Sequence, residues 1–429
     1  MGTSGVDTVV AGDDRKRVAV GTVARATQAS TAAFPAAAVD ARTLPNHQIP
    51  EELLQDAALN HAIQQLLPAN YNFELHKTIW QMRRHGVTRV ALQLPEGLQT
   101  FAVALASILE QFVVGARVVI LGDVTYGACC VDDFTAVALQ CDFLVHYGHS
   151  CLVPVTRTLL RTLYVFVEIV IDVEHVEALF RRFFLGGAPE GLVVRHVALV
   201  STVQFIGAVH ALRARLNALP ASPVTFVVPQ ARPLSAGEVL GCTAPALPPG
   251  VDAVVYVGDG RFHLEAVMIA NPHLQGRYFR YDPYAKRFSR EGYDHVDMAE
   301  RRLAAVAQAR AASRVGLILG TLGRQGSPQV LAGLQALLAS HGIPCAVFLM
   351  SEIRPEKLAR IAGIDCWVQV ACPRLSIDWG QHFHRPLLTP YELNVALRAV
   401  PWQPVYPMDF YARDSLGPWT PNHVPKRAV

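Results

Sequence analysis

Arg89 Val90 Ala91 Leu92 Gln93 Leu94 is a short run of aliphatic and β-branched residues, followed at once by Pro95 Glu96 Gly97. Apolar residues at consecutive positions describe a strand covered on both faces, as in a parallel sheet packed between helices, and the Pro and Gly punctuate its end. Runs of the same kind follow at Arg117 to Leu121, Phe143 to Tyr147 and Leu163 to Ile171. They recur at His196 to Val200, Val224 to Val228, Ala253 to Val257 and Tyr278 to Tyr281. They return at Arg314 to Leu319, Cys345 to Met350, Trp367 to Val370 and Pro386 to Leu388. Longer amphipathic segments separate them. A set of four strands is therefore met three times, with opening strands near residues 89, 196 and 314. This is an architectural triplication. It predicts an α/β chain of three tandem domains, each on a mostly parallel four-stranded sheet, with ligands gathering beyond the carboxyl ends of the strands.

Working outward from that core gives the expected organisation. Residues 1–45 are rich in Ala, Thr, Asp and Gly without periodicity and read as a disordered tail. The first domain spans 46–190, with a helical extension near 51–67 and an aromatic segment, Asn70 to Trp80, docked on it. The second spans 191–305 and the third 306–400. Residues 401–429 are rich in Pro and aromatics, and form an extended or disordered tail with Phe410 and Tyr411 as docking residues.

Composition narrows the function. With 38 Lys plus Arg against 35 Asp plus Glu, a net charge of +3 over 429 residues does not suggest a surface for duplex nucleic acid. The chain is 51% apolar and 17% charged, which fits extensive buried sheet or interface. No run is long enough to form a membrane helix, and the N-terminus lacks the apolar core of a secretory signal, so the expected compartment is the cytoplasm. The eight cysteines are too sparse for a disulfide scaffold.

Several strand ends concentrate chemistry. Cys129 closes Gly122 Asp123 Val124 Thr125 Tyr126 Gly127 Ala128 Cys129 Cys130, Cys242 lies in Gly241 Cys242 Thr243, and Cys372 follows the strand at Trp367 to Val370. Each third thus supplies one loop cysteine. The set reads either as a joint soft-metal site or as unrelated structural thiols. If a metal is held, three thiolates without an obvious fourth ligand favour an iron-sulfur cluster with one open iron over structural zinc. The loop Gly320 Thr321 Leu322 Gly323 Arg324 Gln325 Gly326 Ser327 follows a strand, with Ser327 as N-cap and Pro328 at N1. It is either an amide cradle for an anionic group or a tight structural turn. In Gly258 Asp259 Gly260 Arg261 Phe262 His263, Arg261 suits a carboxylate and Asp259 an amine, or the segment is a salt-bridged turn opening a helix. His146 and His149 flank another strand end. The first strand–helix turn, Leu94 Pro95 Glu96 Gly97, lacks the dinucleotide glycine fingerprint, which argues against a dehydrogenase.

These strings together resemble the diphthamide-synthesis family, in particular its first, catalytic subunit, over about residues 45–412. The resemblance is carried by Leu92 Gln93 Leu94 Pro95 Glu96 Gly97, by Gly122 to Asp133, by His146 Tyr147 Gly148 His149 Ser150 Cys151 and by Tyr256 to Glu265. It continues in Arg280 Tyr281 Asp282 Pro283 Tyr284, Leu319 to Ser327, Ser351 Glu352 Ile353 and Gln369 to Gly380. It implies Cys129, Cys242 and Cys372 as ligands of a 4Fe-4S cluster at the centre of the three domains. It also implies S-adenosylmethionine as cosubstrate, and the strand-end loops read above then make Asp259, Arg261, Gly320, Gly323, Arg324, Gly326 and Ser327 the expected residues around it. The implied reaction moves the 3-amino-3-carboxypropyl group to a histidine of translation elongation factor 2, by a radical route that departs from that of standard enzymes of this cofactor class. The implied partners are a sister subunit of the same fold, in a heterodimer, and a small electron-carrier protein. Pro154 Val155 Thr156 departs from the Met-Asp that relatives often carry after the proline.

Overall fold

In the computed structural model, residues 49–122, 130–150, 152–186, 194–220 and 222–424 are described. The expected N-terminal tail lies outside these residues. The described chain opens with helices Glu51–Leu54 and Ala57–Leu66, the second capped by Asp56, whose carboxylate accepts from the amides of Ala58 and Leu59.

The strands are β1 (Tyr71–Asn72), β2 (Arg89–Gln93), β3 (Arg117–Ile120), β4 (Phe143–Tyr147), β5 (Arg161–Val165), β6 (Glu168–Ile169), β7 (His196–Ser201), β8 (Thr225–Val227), β9 (Ala253–Val257), β10 (Tyr278–Asp282), β11 (Arg287–Glu291), β12 (Val315–Gly320), β13 (Cys345–Met350), β14 (Cys366–Val370) and β15 (Leu387–Leu388). They form three main sheets in the orders β3-β2-β4-β5, β8-β7-β9-β10-β11 and β13-β12-β14-β15. In each sheet the first four strands in sequence occupy the order second, first, third, fourth, and every neighbouring pair among them is parallel. The repeat expected from the strand pattern is thus a repeat of topology.

A side-chain device repeats with it. Asp142, Asp252 and Asp365 each stand one residue before the third strand of their sheet. Asp142 accepts from the amides of Thr88 and Arg89, Asp252 from those of Arg195 and His196, and Asp365 from those of Ser313 and Arg314. Each carboxylate satisfies amides at the mouth of the first strand and fixes its register against the third.

Two departures from the sequence reading have clear causes. The run Leu163 to Ile171 is not one strand: Val167 takes a positive φ of 57°, β5 ends before it, and β6 leaves the first sheet to pair antiparallel with β1. The second sheet also carries a fifth strand, β11, antiparallel to β10, whose charged sequence Arg287 Phe288 Ser289 Arg290 Glu291 hid it from an apolar pattern. The C-terminal segment is packed rather than loose as far as Thr420: Tyr406, Met408, Phe410, Tyr411, Trp419 and Thr420 are all buried. One apolar cluster runs continuously from the second sheet, through Val254 and Tyr256, to the third, through Leu317 and Val368.

Candidate functional site

The carboxyl ends of β4, β7, β9, β12 and β14 carry most of the residues singled out by sequence. Cys372 follows β14 and directly precedes helix Pro373–Trp379, and its carbonyl accepts from Gln369 Nε2 at 2.8 Å. Two residues on, Arg374 is almost fully buried, and its guanidinium is shared out completely. Nε meets both oxygens of Asp378 at 3.0 Å, Nη2 meets Glu265 Oε2 at 2.5 Å, and Nη1 donates to the carbonyl of Phe262 at 2.6 Å and of Gly241 at 3.4 Å. The Phe262 ring lies 4.3 Å from the guanidinium carbon. One side chain therefore joins the helix behind Cys372 to the loop that holds Cys242.

That loop is tightly built. A Cβ on Gly241 would lie 2.0 Å from Phe262 Cε1, so only glycine allows the approach. Cys242 is buried against Phe410 and Tyr411; its carbonyl accepts from the Phe410 amide at 3.2 Å, and Thr243 Oγ1 accepts from the Tyr411 amide at 2.9 Å. The C-terminal segment thus forms one wall of the Cys242 loop.

In the first sheet, Cys129 and Cys151 lie outside the described residues. The backbone immediately after Cys129 is held from two sides. Gln93 on β2 donates to the Cys130 carbonyl at 2.8 Å, while its own carbonyl oxygen accepts from the Asp132 amide and from His146 Nδ1. From the third sheet, Gly323 takes a φ of 51° and comes so close that a Cβ would sit 2.4 Å from the Cys130 oxygen, and the Arg324 amide donates to Val131 at 3.0 Å. Arg324 also forks onto buried Asp133, Nε to Oδ1 at 2.6 Å and Nη2 to Oδ2 at 2.7 Å. Burial works to raise the pKa of Asp133, but Arg324 and the Leu159 amide hold it below the usual carboxylate range.

The Gly320 to Ser327 loop is accordingly a bridge between sheets as well as a turn. The Gly326 amide closes it onto the Gly320 carbonyl at 3.0 Å, and Ser327 caps helix Pro328–Ser340 through its hydroxyl, as the sequence predicted. Arg261 is engaged by Glu265 at 3.5 Å and Glu291 at 3.3 Å, and donates to the Gly292 carbonyl at 2.7 Å. Asp259, in contrast, lines a cleft of about 220 Å³ between the first and second sheets, together with His149, Ser150, Gln204, Glu238 and His263. Glu238 is buried, accepts from the Ser150 hydroxyl and the Ser235 amide, and has a raised pKa because burial outweighs these bonds. Burial lowers His146 to about 3, His149 to about 4 and His263 to about 3, so all three rings are neutral at physiological pH. Among the described residues no three Cys, His, Asp or Glu side chains form a metal-ligand group; Cys129 is not one of them. Arg374 and Gln93, which tie the cysteine loops together, were not foreseen as site residues. Both lie inside motifs already quoted, and nothing in the string separates a buried clamp from a surface arginine.

A sequence model of the diphthamide synthesis protein family matches residues 94–407. The chain belongs to the diphthamide synthesis family. It is 53% identical over 386 residues to 2-(3-amino-3-carboxypropyl)histidine synthase subunit 1 of Schizosaccharomyces pombe, covering 89% of this chain and 86% of that protein. It is 55% identical over 379 residues to the subunit 1 proteins of Bos taurus and Homo sapiens, covering 88% of this chain and 83% of each. Among solved structures it is similar to Dph2 from Pyrococcus horikoshii with a 4Fe-4S cluster, at 27% identity and a TM-score of 0.63, over 80% of this chain and 94% of that one. A second structure of Dph2 from Pyrococcus horikoshii aligns with a TM-score of 0.62, at 27% identity over 78% of this chain and 93% of that one. Diphthamide synthesis family membership therefore agrees with the fold and with the placement of the motifs.

Proposed function

We propose that the family's chemistry in this chain is organised by Cys129, Cys242 and Cys372 as the three thiolate ligands of a 4Fe-4S cluster at the meeting of the three sheets. The chain is an iron-sulfur transferase subunit that moves the 3-amino-3-carboxypropyl group of S-adenosylmethionine to a histidine of translation elongation factor 2, in diphthamide biosynthesis. The observation that carries the ligand assignment is the Arg374 clamp, which ties the start of the Cys372 helix to the carbonyl before Cys242. The donor set suits the group: Cys242 is buried in a loop too tight for any residue but glycine beside it, and thiolates are the ligands that iron-sulfur clusters take. The cluster, when bound, supplies the electron that opens a carbon–sulfur bond of the sulfonium.

The chain's own residues orient and enclose. Asp259 faces the cleft and suits the amino group of the cosubstrate. Arg261 and Arg324, engaged by carboxylates, hold the Phe262 and Cys130 segments in place, and Gly320, Gly323, Gly326 and Ser327 shape the loop that covers the third side. A sister subunit of the same fold, a small electron-carrier protein and elongation factor 2 are the proposed partners. The fold has three domains of 46–190, 191–305 and 306–400 in this reading. No described helix is long and apolar enough to cross a membrane, and the proposed compartment is the cytoplasm.

The test is anaerobic purification of the chain with its sister subunit, followed by iron analysis and reduced-state EPR on single Ser replacements of Cys129, Cys242 and Cys372. Each replacement should remove the cluster signal and aminocarboxypropyl transfer together. A normal signal after all three are replaced, or stoichiometric zinc in the wild-type protein, would overturn the assignment.

A further inference from the structure

The C-terminal segment engages Cys242 through contacts that the mechanism above does not use. Leu240 and Thr243 exchange backbone hydrogen bonds. The Leu240 amide donates to the Thr243 carbonyl at 2.9 Å and the Thr243 amide donates back at 3.3 Å, so Gly241 and Cys242 form a two-residue turn. The outer arm of that turn pairs antiparallel with a strap from the C-terminal segment. Thr243 lies opposite Asp409, the Ala244 amide donates to the Met408 carbonyl at 2.9 Å, and the Phe410 amide donates to the Cys242 carbonyl at 3.2 Å. The strap is pinned on both sides. Met408 and Trp419 are buried in the core shared by the second and third sheets, with the Trp419 ring 5.2 Å from that of Tyr391. The Asp409 carboxylate accepts from the Leu416 amide at 2.6 Å. Between these anchors Phe410 and Tyr411 leave that core and form a small apolar cluster around Cys242, completed by Leu152 and Leu240.

The strap also directs a hydroxyl. Thr243 is fully buried, and its Oγ1 accepts from the Tyr411 amide at 2.9 Å. A hydroxyl that accepts on its oxygen still has its one proton to place. The acceptor in reach is the Cys242 sulfur, 3.7 Å from Oγ1, and among the described residues Oγ1 meets no other. As a metal ligand the sulfur is a thiolate without a proton of its own, so the Thr243 hydroxyl is then the donor.

We propose that this strap belongs to the cluster site and tunes its reduction potential through Cys242, with Thr243 as a positioning residue aimed by the Tyr411 amide. This rests on the cluster reading above. The strap acts in two ways of opposite sign, because reduction adds one negative charge to the bound group. A hydrogen bond from the Thr243 hydroxyl to the thiolate favours that added charge and raises the potential. The Phe410 and Tyr411 rings keep water from the sulfur, and a drier, less polar surrounding disfavours the added charge and lowers the potential. A segment that only completed the core would bury its aromatic rings beside Met408 and Trp419. Here the two rings are spent on one thiol, and the backbone between them orients its hydroxyl neighbour.

The test is an EPR-monitored redox titration of the chain reconstituted anaerobically with its sister subunit, with iron counted in every sample. Thr243→Val keeps the shape and removes the donor, so its midpoint should fall below that of wild type. Thr243→Ser restores the hydroxyl and should return the midpoint to the wild-type value. Phe410→Ala opens the cover and should move the midpoint upward, whereas Phe410→Leu should leave it in place. In the cluster-free protein the Cys242 thiol should react with iodoacetamide at least about tenfold faster in F410A than in wild type, read by mass spectrometry of its peptide. A T243V midpoint equal to wild type at equal iron would overturn the proposal. So would shifts of T243V and F410A in the same direction, the mark of a loop merely loosened. Should F410A fail to fold, the T243V and T243S pair decides alone. A wild-type chain that binds no cluster would instead contradict the functional reading, and unchanged Cys242 alkylation in F410A would reject the strap as its cover.

Discussion

At the scale of single residues, the site depends on one cation. Arg374 is 2% exposed and answers two carboxylates and two carbonyls, so it is paired on every edge of its fork. Truncating one partner of a buried ionic cluster leaves the others without compensation, at about 3–5 kcal/mol. Arg374→Ala should therefore lower the unfolding free energy by about that amount. Arg374→Lys should keep the charge but lose the planar fork, since an ammonium cannot serve Asp378, Glu265 and two carbonyls at once. We expect R374K to fold, with a chemical denaturation midpoint between those of Arg374→Ala and wild type, and to retain much less iron after anaerobic reconstitution. Equal iron in both proteins would show that the clamp does not position the cysteine loops.

At the scale of elements, the three sheets share a lock that no single strand reveals. The aspartate before each third strand binds amides at the start of the first, and all three carboxyls are held below the usual range. At Asp142 and Asp252 burial opposes the shift and the hydrogen-bond donors overcome it; at Asp365 the Ser313 hydroxyl and amides dominate. A carboxylate with a depressed folded pKa stabilises the fold above its unfolded pKa, and that contribution is lost as pH falls through the folded value. Asp142→Asn and Asp252→Asn should each cost about 1 kcal/mol at pH 7, a hydrogen-bonded carboxylate discounted for solvent screening. The difference from wild type should close as pH drops below about 4, measured by urea midpoints across a pH series.

At the scale of the whole molecule, three neutral histidines, His146 buried and His149 and His263 half-buried, set the response to acid. His146, His149 and His263 lie at the carboxyl ends of β4 and β9, where the first and second sheets adjoin the cleft, and burial depresses each of them. The unfolded chain takes up protons on these rings near pH 6.5, while the folded chain refuses them until about 3 to 4. Between those limits the unfolded state binds more protons, so stability rises with pH across the window and is lost as pH falls from 6.5. The molecule should become progressively less stable below about pH 6.5, with proton uptake on unfolding that decreases when His146 is replaced by Gln. Unfolding midpoints that stay level from pH 7 to about pH 5 would contradict this.

The sequence by itself determined the repeating strand plan, the triplication and the motifs that mark the family, because the apolar periodicity of a doubly covered sheet and the strings at strand ends are local properties. The opening strand at Arg89, the cap at Ser327 and the loop positions of Cys242 and Cys372 all read directly from neighbours in the chain. Only the tertiary structure decided that Arg374 reaches Gly241, that Gly323 rests on Cys130, and that the C-terminal Phe410 and Tyr411 wall in Cys242. These pairings join residues 133, 193 and 168 positions apart, and they are fixed by burial, desolvation and close backbone approach. The charged strand β11 and the break at Val167 escaped the pattern for the same reason: their conformations are set by the neighbour each strand meets in space.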